Sequence, residues 1–233
     1  MTKVSAIIPA AGSGRRMGGN RSKQYLEIGD TPVIIATLSV FQNSPQIDEI
    51  IVVSPEAELS FSRELIESHS LSKVSAVVLG GRERQDSIRN GLDTLSASTD
   101  MVVIHDGVRP FIDSETIRET IVAAGEYGAA MAAVPVKDTV KEVAEGIVSR
   151  TVPRQNLWLA QTPQTFRYDI IREAYDAALE KGFYGTDDAS LVEALGYEVR
   201  IVTGSYKNIK ITTREDLLFA EAIIKERKTC VQG

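Results

Sequence analysis

Short apolar runs rich in valine and isoleucine recur along this chain, each separated from the next by a stretch of helical length. They lie at Val4–Ile8, Glu49–Val53, Val74–Leu79, Met101–Ile104 and Ala129–Val136. Between them, Val33–Gln42, Leu59–Ser68, Gln85–Leu95 and Ser114–Tyr127 have the length and amphipathic spacing of helices. Runs that are apolar at nearly every position bury both faces, which is the condition of parallel strands covered by helices on each side. The pattern predicts an α/β fold built on a single doubly wound, mostly parallel, Rossmann-like sheet. Asp113 before Ser114, and Thr213 three residues ahead of Asp216, read as helix N-caps. With 233 residues and 43% apolar composition the chain can bury a substantial core, so residues 1–233 are expected to form one domain.

One stretch breaks the alternation. From Lys137 to Asn156, short strand-like segments flank Ala144-Glu145-Gly146, which predicts a β-hairpin arm inserted in the α/β body. A two-stranded ribbon is marginal alone in water, so its Val and Ile side chains need another surface. The same arm of a second subunit supplies one most simply, making 137–156 the contact of a homodimer; the alternative is a hairpin folded back on its own domain. Beyond the arm, Tyr168–Lys181 and Ala189–Leu195 read as helices, Glu198–Val202 and Lys207–Ile211 as strands, and Arg214–Lys228 as a closing helix.

In open sheets of this kind ligands bind beyond the carboxyl ends of the strands, so loops beginning at Ala10, Gly80 and Asp106 should share one rim. The first reads Ala10-Ala11-Gly12-Ser13-Gly14-Arg15-Arg16-Met17-Gly18, and Arg15, Arg16, Arg21 and Lys23 fall within nine residues that hold no acid. The chain as a whole carries a net charge of −6, so this positive charge is strictly local. Small residues let a ligand approach the backbone while amides and cations face negative oxygens, which points to phosphate. The alternative is a glycine turn with a solvated basic face, against which stands the mutual repulsion of four clustered cations that a bound anion would relieve. The spacing Gly12-x-Gly14-x-x-x-Gly18 is not the dinucleotide fingerprint, and the loop lacks the Gly-Lys-Ser/Thr ending of a P-loop.

His105-Asp106-Gly107-Val108-Arg109-Pro110 follows the fourth apolar run. An aspartate at the end of a buried strand is placed to hold Mg²⁺, which takes oxygen ligands and bridges phosphates. Arg109 can meet an anion through two parallel N–H bonds; the alternative is an Asp106–Arg109 ion pair that shapes the loop. With His69 and His105 as its two histidines, the chain is not expected to use histidine catalysis. Gly80-Gly81 before a helix exposes backbone that can read a nucleobase edge, and Ser87 adds a hydroxyl on the first turn. Lys210, between Ile209 and Ile211, needs either solvent or an anionic partner.

The acidic balance excludes non-specific nucleic-acid binding, which calls for a basic face. A single cysteine, Cys230, and the lack of a secretory or membrane-length apolar stretch predict a cytoplasmic protein with no membrane attachment.

Taken together, Ala10-Ala11-Gly12-x-Gly14-x-Arg16-Met17, Lys23-Gln24-Tyr25, Gly80-Gly81-x-x-Arg84-x-x-Ser87, His105-Asp106-x-x-Arg109-Pro110, Pro135-Val136-Lys137-Asp138-Thr139-Val140-Lys141, Arg154-x-x-Leu157-Trp158-x-Ala160-Gln161-Thr162-Pro163-Gln164, Thr186-Asp187-Asp188-Ala189-Ser190 and Asn208-Ile209-Lys210 resemble the 2-C-methyl-D-erythritol 4-phosphate cytidylyltransferases. The resemblance runs from the first strand to the last helix. Its front half is shared with other nucleotidyltransferases, notably ribitol-5-phosphate cytidylyltransferase; the Lys-Asp-Thr-x-Lys arm, the Arg-x-x-Leu-Trp string and Thr-Asp-Asp-Ala-Ser favour the methylerythritol enzymes.

The resemblance implies transfer of CMP from CTP to 2-C-methyl-D-erythritol 4-phosphate, with release of pyrophosphate, by a Mg²⁺-dependent homodimer of the non-mevalonate isoprenoid pathway. It assigns Arg16 and Lys23 to the transferring phosphorus and pyrophosphate, with Arg154 and Lys210 also catalytic, Asp106 to the metal and the nucleotide, and Ala10, Ala11, Gly12, Gly14, Gly81 and Ser87 to the nucleotide. Arg109, Thr162, Thr186 and Lys210 would hold the acceptor, with Thr139 and Arg154 reaching in from a partner's arm. Gly107-Val108 stands where many members have Ala-Ala. Lys207 sits where they often carry an acid, which leaves Asp106 as the named metal ligand. A ribitol-phosphate cytidylyltransferase, and a nucleotide-binding regulator that has lost the chemistry, are the rival readings.

Overall fold

The computed structural model describes residues 2–12 and 22–231. Its centre is a sheet of seven strands in the order β11-β7-β10-β6-β1-β4-β5. The strands are β1 (Val4–Pro9), β4 (Glu49–Ser54), β5 (Val74–Leu79), β6 (Met101–Ile104), β7 (Ala129–Pro135), β10 (Trp158–Arg167) and β11 (Arg200–Thr203). Parallel pairing joins β1 to β4 and β6, β4 to β5, and β7 to β11. β10 alone runs antiparallel, between β6 and β7.

Full burial of β1 explains its apolar composition. Ala6 and Ile8 point into one core with Leu38, Phe41, Val103 and Ile117, whereas Ile7 points into the other with Val53, Ile88, Ile104 and Phe166. The first core is covered by α1 (Val33–Asn43), α2 (Leu59–Ser68) and α4 (Ser114–Tyr127). The second is covered by α3 (Arg84–Leu92), α5 (Tyr168–Glu180) and α6 (Asp188–Glu193). Helices on both faces of a mostly parallel sheet are the doubly wound arrangement that the apolar runs predicted. A smaller apolar cluster of Val33, Phe111, Ile211 and Ala220 seats the last helix, α7 (Arg214–Val231).

The expected Asp113 cap is present. Asp113 accepts a bond from the Thr116 nitrogen at 2.7 Å. At α7 the acid reaches back, Asp216 accepting from the nitrogens of Thr212 at 2.7 Å and Thr213 at 2.8 Å.

One expectation of local structure is corrected, and two features carried no apolar signal. Lys207–Ile211 is not a strand: the chain turns at Ser205, whose carbonyl accepts from the Asn208 nitrogen, and β11 already holds the sheet edge beside β7. Ile211 is apolar because it plugs the third cluster, not because it alternates in a ladder. Conversely, β10 escaped notice because its buried half is Gln161-Thr162-Pro163-Gln164-Thr165, polar residues around a proline, with a register shift between Ala160 and Gln164. A short pair, β2 (Glu27–Ile28) with β3 (Thr31–Pro32), also had no signal in the alternation.

The arm consists of β8 (Val140–Ala144) and β9 (Ile147–Val152), paired only with each other. Their turn places Glu145 at φ 51° and Gly146 at φ 81°, a left-handed pair that glycine eases. The arm does not fold back on its own domain: Val143, Ile147 and Val148 are 54%, 73% and 55% exposed. It leaves the sheet at Pro135 and returns at Trp158, which face each other in the β7–β10 ladder. Tyr206 ties down this root, donating from Oη to the Pro135 carbonyl at 2.6 Å while Lys137 Nζ lies 3.3 Å from its ring centre.

Candidate active site

The carboxyl ends of β1, β5 and β6 open onto one cavity of about 410 Å³. Ala10, Ala11 and Gly12 line it after β1, Gly81 and Ser87 after β5, and Asp106 after β6. Lys23 and Lys210 complete its polar wall. These eight residues, spread over 200 positions of sequence, are brought together as the rim geometry of a parallel sheet requires.

Asp106 is the electrostatic centre. Its carboxylate is 2.9 Å from Lys210 Nζ, 3.2 Å from Arg109 Nε and 3.4 Å from Arg84 Nε. Burial alone would raise this acid, but Lys210, Arg84 and Arg109 outweigh it and hold the carboxyl well below the usual carboxylate range. Arg109 is doubly committed, because its Nη1 also donates to the Asn208 carbonyl at 2.7 Å. The ion pair with Asp106 and this second bond fix the loop after β6 against the irregular segment that carries Lys210.

Behind Asp106 lies a buried hydrogen-bond chain. The Asp106 nitrogen donates to Thr162 Oγ1 at 3.0 Å, and the same hydroxyl lies 3.2 Å from His105 Nδ1. His105 Nε2 faces the Arg109 carbonyl at 3.0 Å. A carbonyl can only accept, so Nε2 carries the proton. Burial pushes the ring's pKa down to about 4, so it is neutral, Nδ1 accepts, and Thr162 donates to it. Both nitrogens are used within the protein, which removes His105 as a proton carrier. Thr162 is placed behind the cavity, its hydroxyl spent on Asp106 and His105.

The glycines divide by cause. A Cβ on Gly80 would collide with the Cβ of Ala11, and one on Gly81 with the Cβ of Asp86, so both are required by the protein's own packing. A Cβ on Gly12 meets nothing within 4 Å and would project into open space. Ser87 Oγ accepts from the Gly81 nitrogen and donates to the Glu83 carbonyl, both at 3.0 Å, locking the turn between the two loops. Gln24, buried beside Lys23, donates from Nε2 to the Ala10 carbonyl at 2.6 Å and pins the first loop.

Gly14 and Arg16 lie outside the described residues, as do Arg15 and Arg21. Thr186 is exposed in the turn before α6, near a second cavity of about 340 Å³ lined by Arg84, Gln85, Tyr184 and Gly185. Thr139 and Arg154 are exposed at the two feet of the arm and do not line the cavity of their own chain. Three residues had no assigned role in the sequence: Arg84, which faces Asp106; Asp188, which holds Arg84; and Tyr175, which holds Asp188. An acid one residue inside a helix start looks like a cap, which hides its long-range pairing.

Among the described residues, no group of three His, Cys, Asp or Glu side chains gathers as a metal centre. Lys207 is paired at 2.7 Å with Glu226 on the surface. Asp106, a carboxylate kept charged on the cavity wall, fits an ion that takes its other ligands from water and phosphate. No described helix is long and apolar enough to cross a membrane.

Comparison with known proteins meets this geometry. The family model for 2-C-methyl-D-erythritol 4-phosphate cytidylyltransferase matches residues 4–226. Proteins of that description from Geotalea uraniireducens and Geobacter metallireducens are 53% and 51% identical over 226 and 228 residues, spanning 96% of this chain and 97% and 98% of their own. The crystal structure of 4-diphosphocytidyl-2C-methyl-D-erythritol synthase from Anaerococcus prevotii matches with a TM-score of 0.85 at 36% identity over 96% of both chains. The chain belongs to the 2-C-methyl-D-erythritol 4-phosphate cytidylyltransferase family.

Proposed function

We propose that this protein transfers CMP from CTP to 2-C-methyl-D-erythritol 4-phosphate, releasing pyrophosphate and forming the CDP-linked alcohol used in isoprenoid precursor synthesis. Family membership over residues 4–226 supports the reaction, and one observation carries the chemistry: a cavity of nucleotide scale on whose charged wall Lys210, Arg84 and Arg109 surround the buried carboxylate of Asp106.

The acceptor phosphate is itself the nucleophile and is already ionised, so no general base is needed. That agrees with a His105 whose nitrogens are both engaged. What the reaction requires is neutralisation and alignment of two polyanions. Lys23, with Arg16 from the first loop, faces the triphosphate in this scheme. Ala10, Ala11, Gly12, Gly14, Gly81 and Ser87 surround the nucleotide. Arg109, Thr186 and Lys210 hold the acceptor side, and Thr162 fixes Asp106 from behind. Asp106 would hold a magnesium ion, which would supply charge neutralisation for the phosphates.

Residues 1–233 act as one cytidylyltransferase domain, working as a homodimer in the cytoplasm. The exposed Val143, Ile147 and Val148 support pairing of the 137–156 arm with a second copy. Thr139 and Arg154 then enter the neighbour's site.

A panel of alcohol phosphates incubated with CTP and Mg²⁺, scored by pyrophosphate release, tests the acceptor. Turnover with 2-C-methyl-D-erythritol 4-phosphate and none with ribitol 5-phosphate is expected. The reverse order would assign the ribitol reaction, and CTP binding without pyrophosphate release from any acceptor would leave only a nucleotide-binding protein.

A further inference from the structure

Arg84 joins two acids that sit 82 positions apart in sequence, Asp106 and Asp188. Its two terminal nitrogens are taken by Asp188, Nη1 to Oδ1 at 3.0 Å and Nη2 to Oδ2 at 2.7 Å. Toward Asp106 it offers only Nε, at 3.4 Å, well outside the roughly 2.7–2.9 Å of a charge-assisted bond. Asp188 is 1% exposed and receives a third bond at 2.6 Å from Tyr175 Oη, which is itself buried in the core under α5.

A guanidinium meets a carboxylate best through two parallel N–H bonds, from its Nη pair or from its Nε–Nη edge. Here the buried Asp188 holds the Nη pair, and Asp106 meets Nε alone. Asp188 is held in place independently of Arg84, since it opens α6, whose first turn is tied to the sheet by Ala189 N donating to Gln164 Oε1 at 2.9 Å. Gln164 Nε2 in turn donates to Asp187 Oδ2 at 2.8 Å. The anchor is rigid and the guanidinium is placed by it.

We propose that Asp188 and Tyr175 are positioning residues that hold Arg84 back from Asp106, so that Arg84 lends its charge to the cavity wall without closing a bidentate bridge over the acid. Released from Asp188, the guanidinium swings onto Asp106 and covers the oxygens that face the nucleotide. The inference rests on assigning this cavity to CTP. It adds a restraint that reaches from the turn carrying Thr186 to the end of β6, and so couples the acceptor side of the cavity to its charged centre.

A double-mutant cycle tests it. Asp188→Asn keeps shape and one acceptor while removing the charge; it is expected to lower kcat/KM about tenfold, mainly through a higher KM for CTP. In an Arg84→Gln background the same substitution should change kcat/KM by less than about twofold, because there is no guanidinium left to release. Multiplicative effects in the two backgrounds would overturn the proposal. Tyr175→Phe removes only the hydroxyl and repeats the cycle should Asp188→Asn fail to fold, with an expected loss of about threefold that Arg84→Gln again abolishes. A second readout needs no catalysis: ¹⁵N spectra of the apoprotein should show resolved, slowly rotating Arg84 Nη groups in the wild type and averaged ones in Asp188→Asn. Unchanged signals would overturn the restraint. A wild type that transfers no CMP would instead remove the assignment of the cavity, while the arginine spectra still judge what Asp188 does.

Discussion

The Thr162 hydroxyl accepts the backbone N–H of Asp106 at 3.0 Å and turns its own proton toward His105 Nδ1. One oxygen from β10 thus fixes the tautomer of one neighbour and the backbone of the next. Thr162→Val keeps the volume but leaves a buried N–H and a ring nitrogen without partners, which should cost roughly 1–3 kcal/mol of stability. Thr162→Ser should recover most of it. Urea unfolding of both variants measures this, and equal losses for Val and Ser would show the hydroxyl to be idle.

Gly12 and Gly81 should respond differently to the same added methyl group. Gly81→Ala drives a Cβ into Asp86 and is expected to lower Tm. Gly12→Ala finds open space in the protein, so Tm stays, but on the proposed nucleotide path it should raise the KM for CTP about tenfold, equivalent to about 1.4 kcal/mol. An unaltered KM would take Gly12 off the nucleotide path.

Lys23 lines the cavity from a short helical turn. Lys23→Ala should reduce kcat by about two to three orders of magnitude, the scale of losing one charge-stabilising donor, with Tm nearly unchanged. A turnover number equal to that of the wild type excludes it from the mechanism.

The arm offers a test by mixing. Arg154→Ala and Lys23→Ala subunits should each be impaired, but a hybrid of the proposed dimer with shared sites would carry one cavity that has both an intact Lys23 and an intact neighbouring arm. Partial recovery of activity is expected after subunit exchange. Exchange verified by mass, with no recovery, would confine each site to its own chain.

Asp216 supplies a pH dependence. Its carboxylate accepts from Thr212 N, Thr213 N and, at 3.0 Å, Thr212 Oγ1. Partial burial pushes this acid up, but those bonds prevail and lower it from its ordinary 3.8. A depressed carboxyl stabilises the fold above its unfolded value and loses that contribution as pH falls through the folded one. Asp216→Ala should therefore cost about 1 kcal/mol at neutral pH, the usual worth of a cap, and the gap should narrow as pH falls below 3.8 and through the folded value. A gap independent of pH would rule out the charge.

The strands that carry the rim were legible because burial on both faces leaves an unbroken apolar run, and the loops that follow such strands inherit their positions. Ala10, Gly81, Asp106 and Lys210 could be placed from that rule and from the family strings. Pairings across distance could not. Arg84 meets Asp188 over 104 positions, and neither residue carries a local mark of the other. β10 hid for a related reason: its interior is polar and its bonds are made to other strands and loops, so no alternation of apolar residues betrays it. Lys207–Ile211 misled in the opposite sense, since its isoleucines, spaced two apart, both pack on the third cluster instead of alternating in a ladder.

Because β10 runs against its neighbours, both feet of the hairpin, Pro135 and Trp158, stand at the same end of the sheet as the cavity. From Trp158 the chain needs only four steps to reach Thr162, and from Tyr206, which clasps Pro135, another four to reach Lys210. The hairpin is cantilevered from the masonry of the pocket through two short strand-free connections, 136–139 and 153–157, so whatever grips its free end takes hold within a few residues of the stones around Asp106.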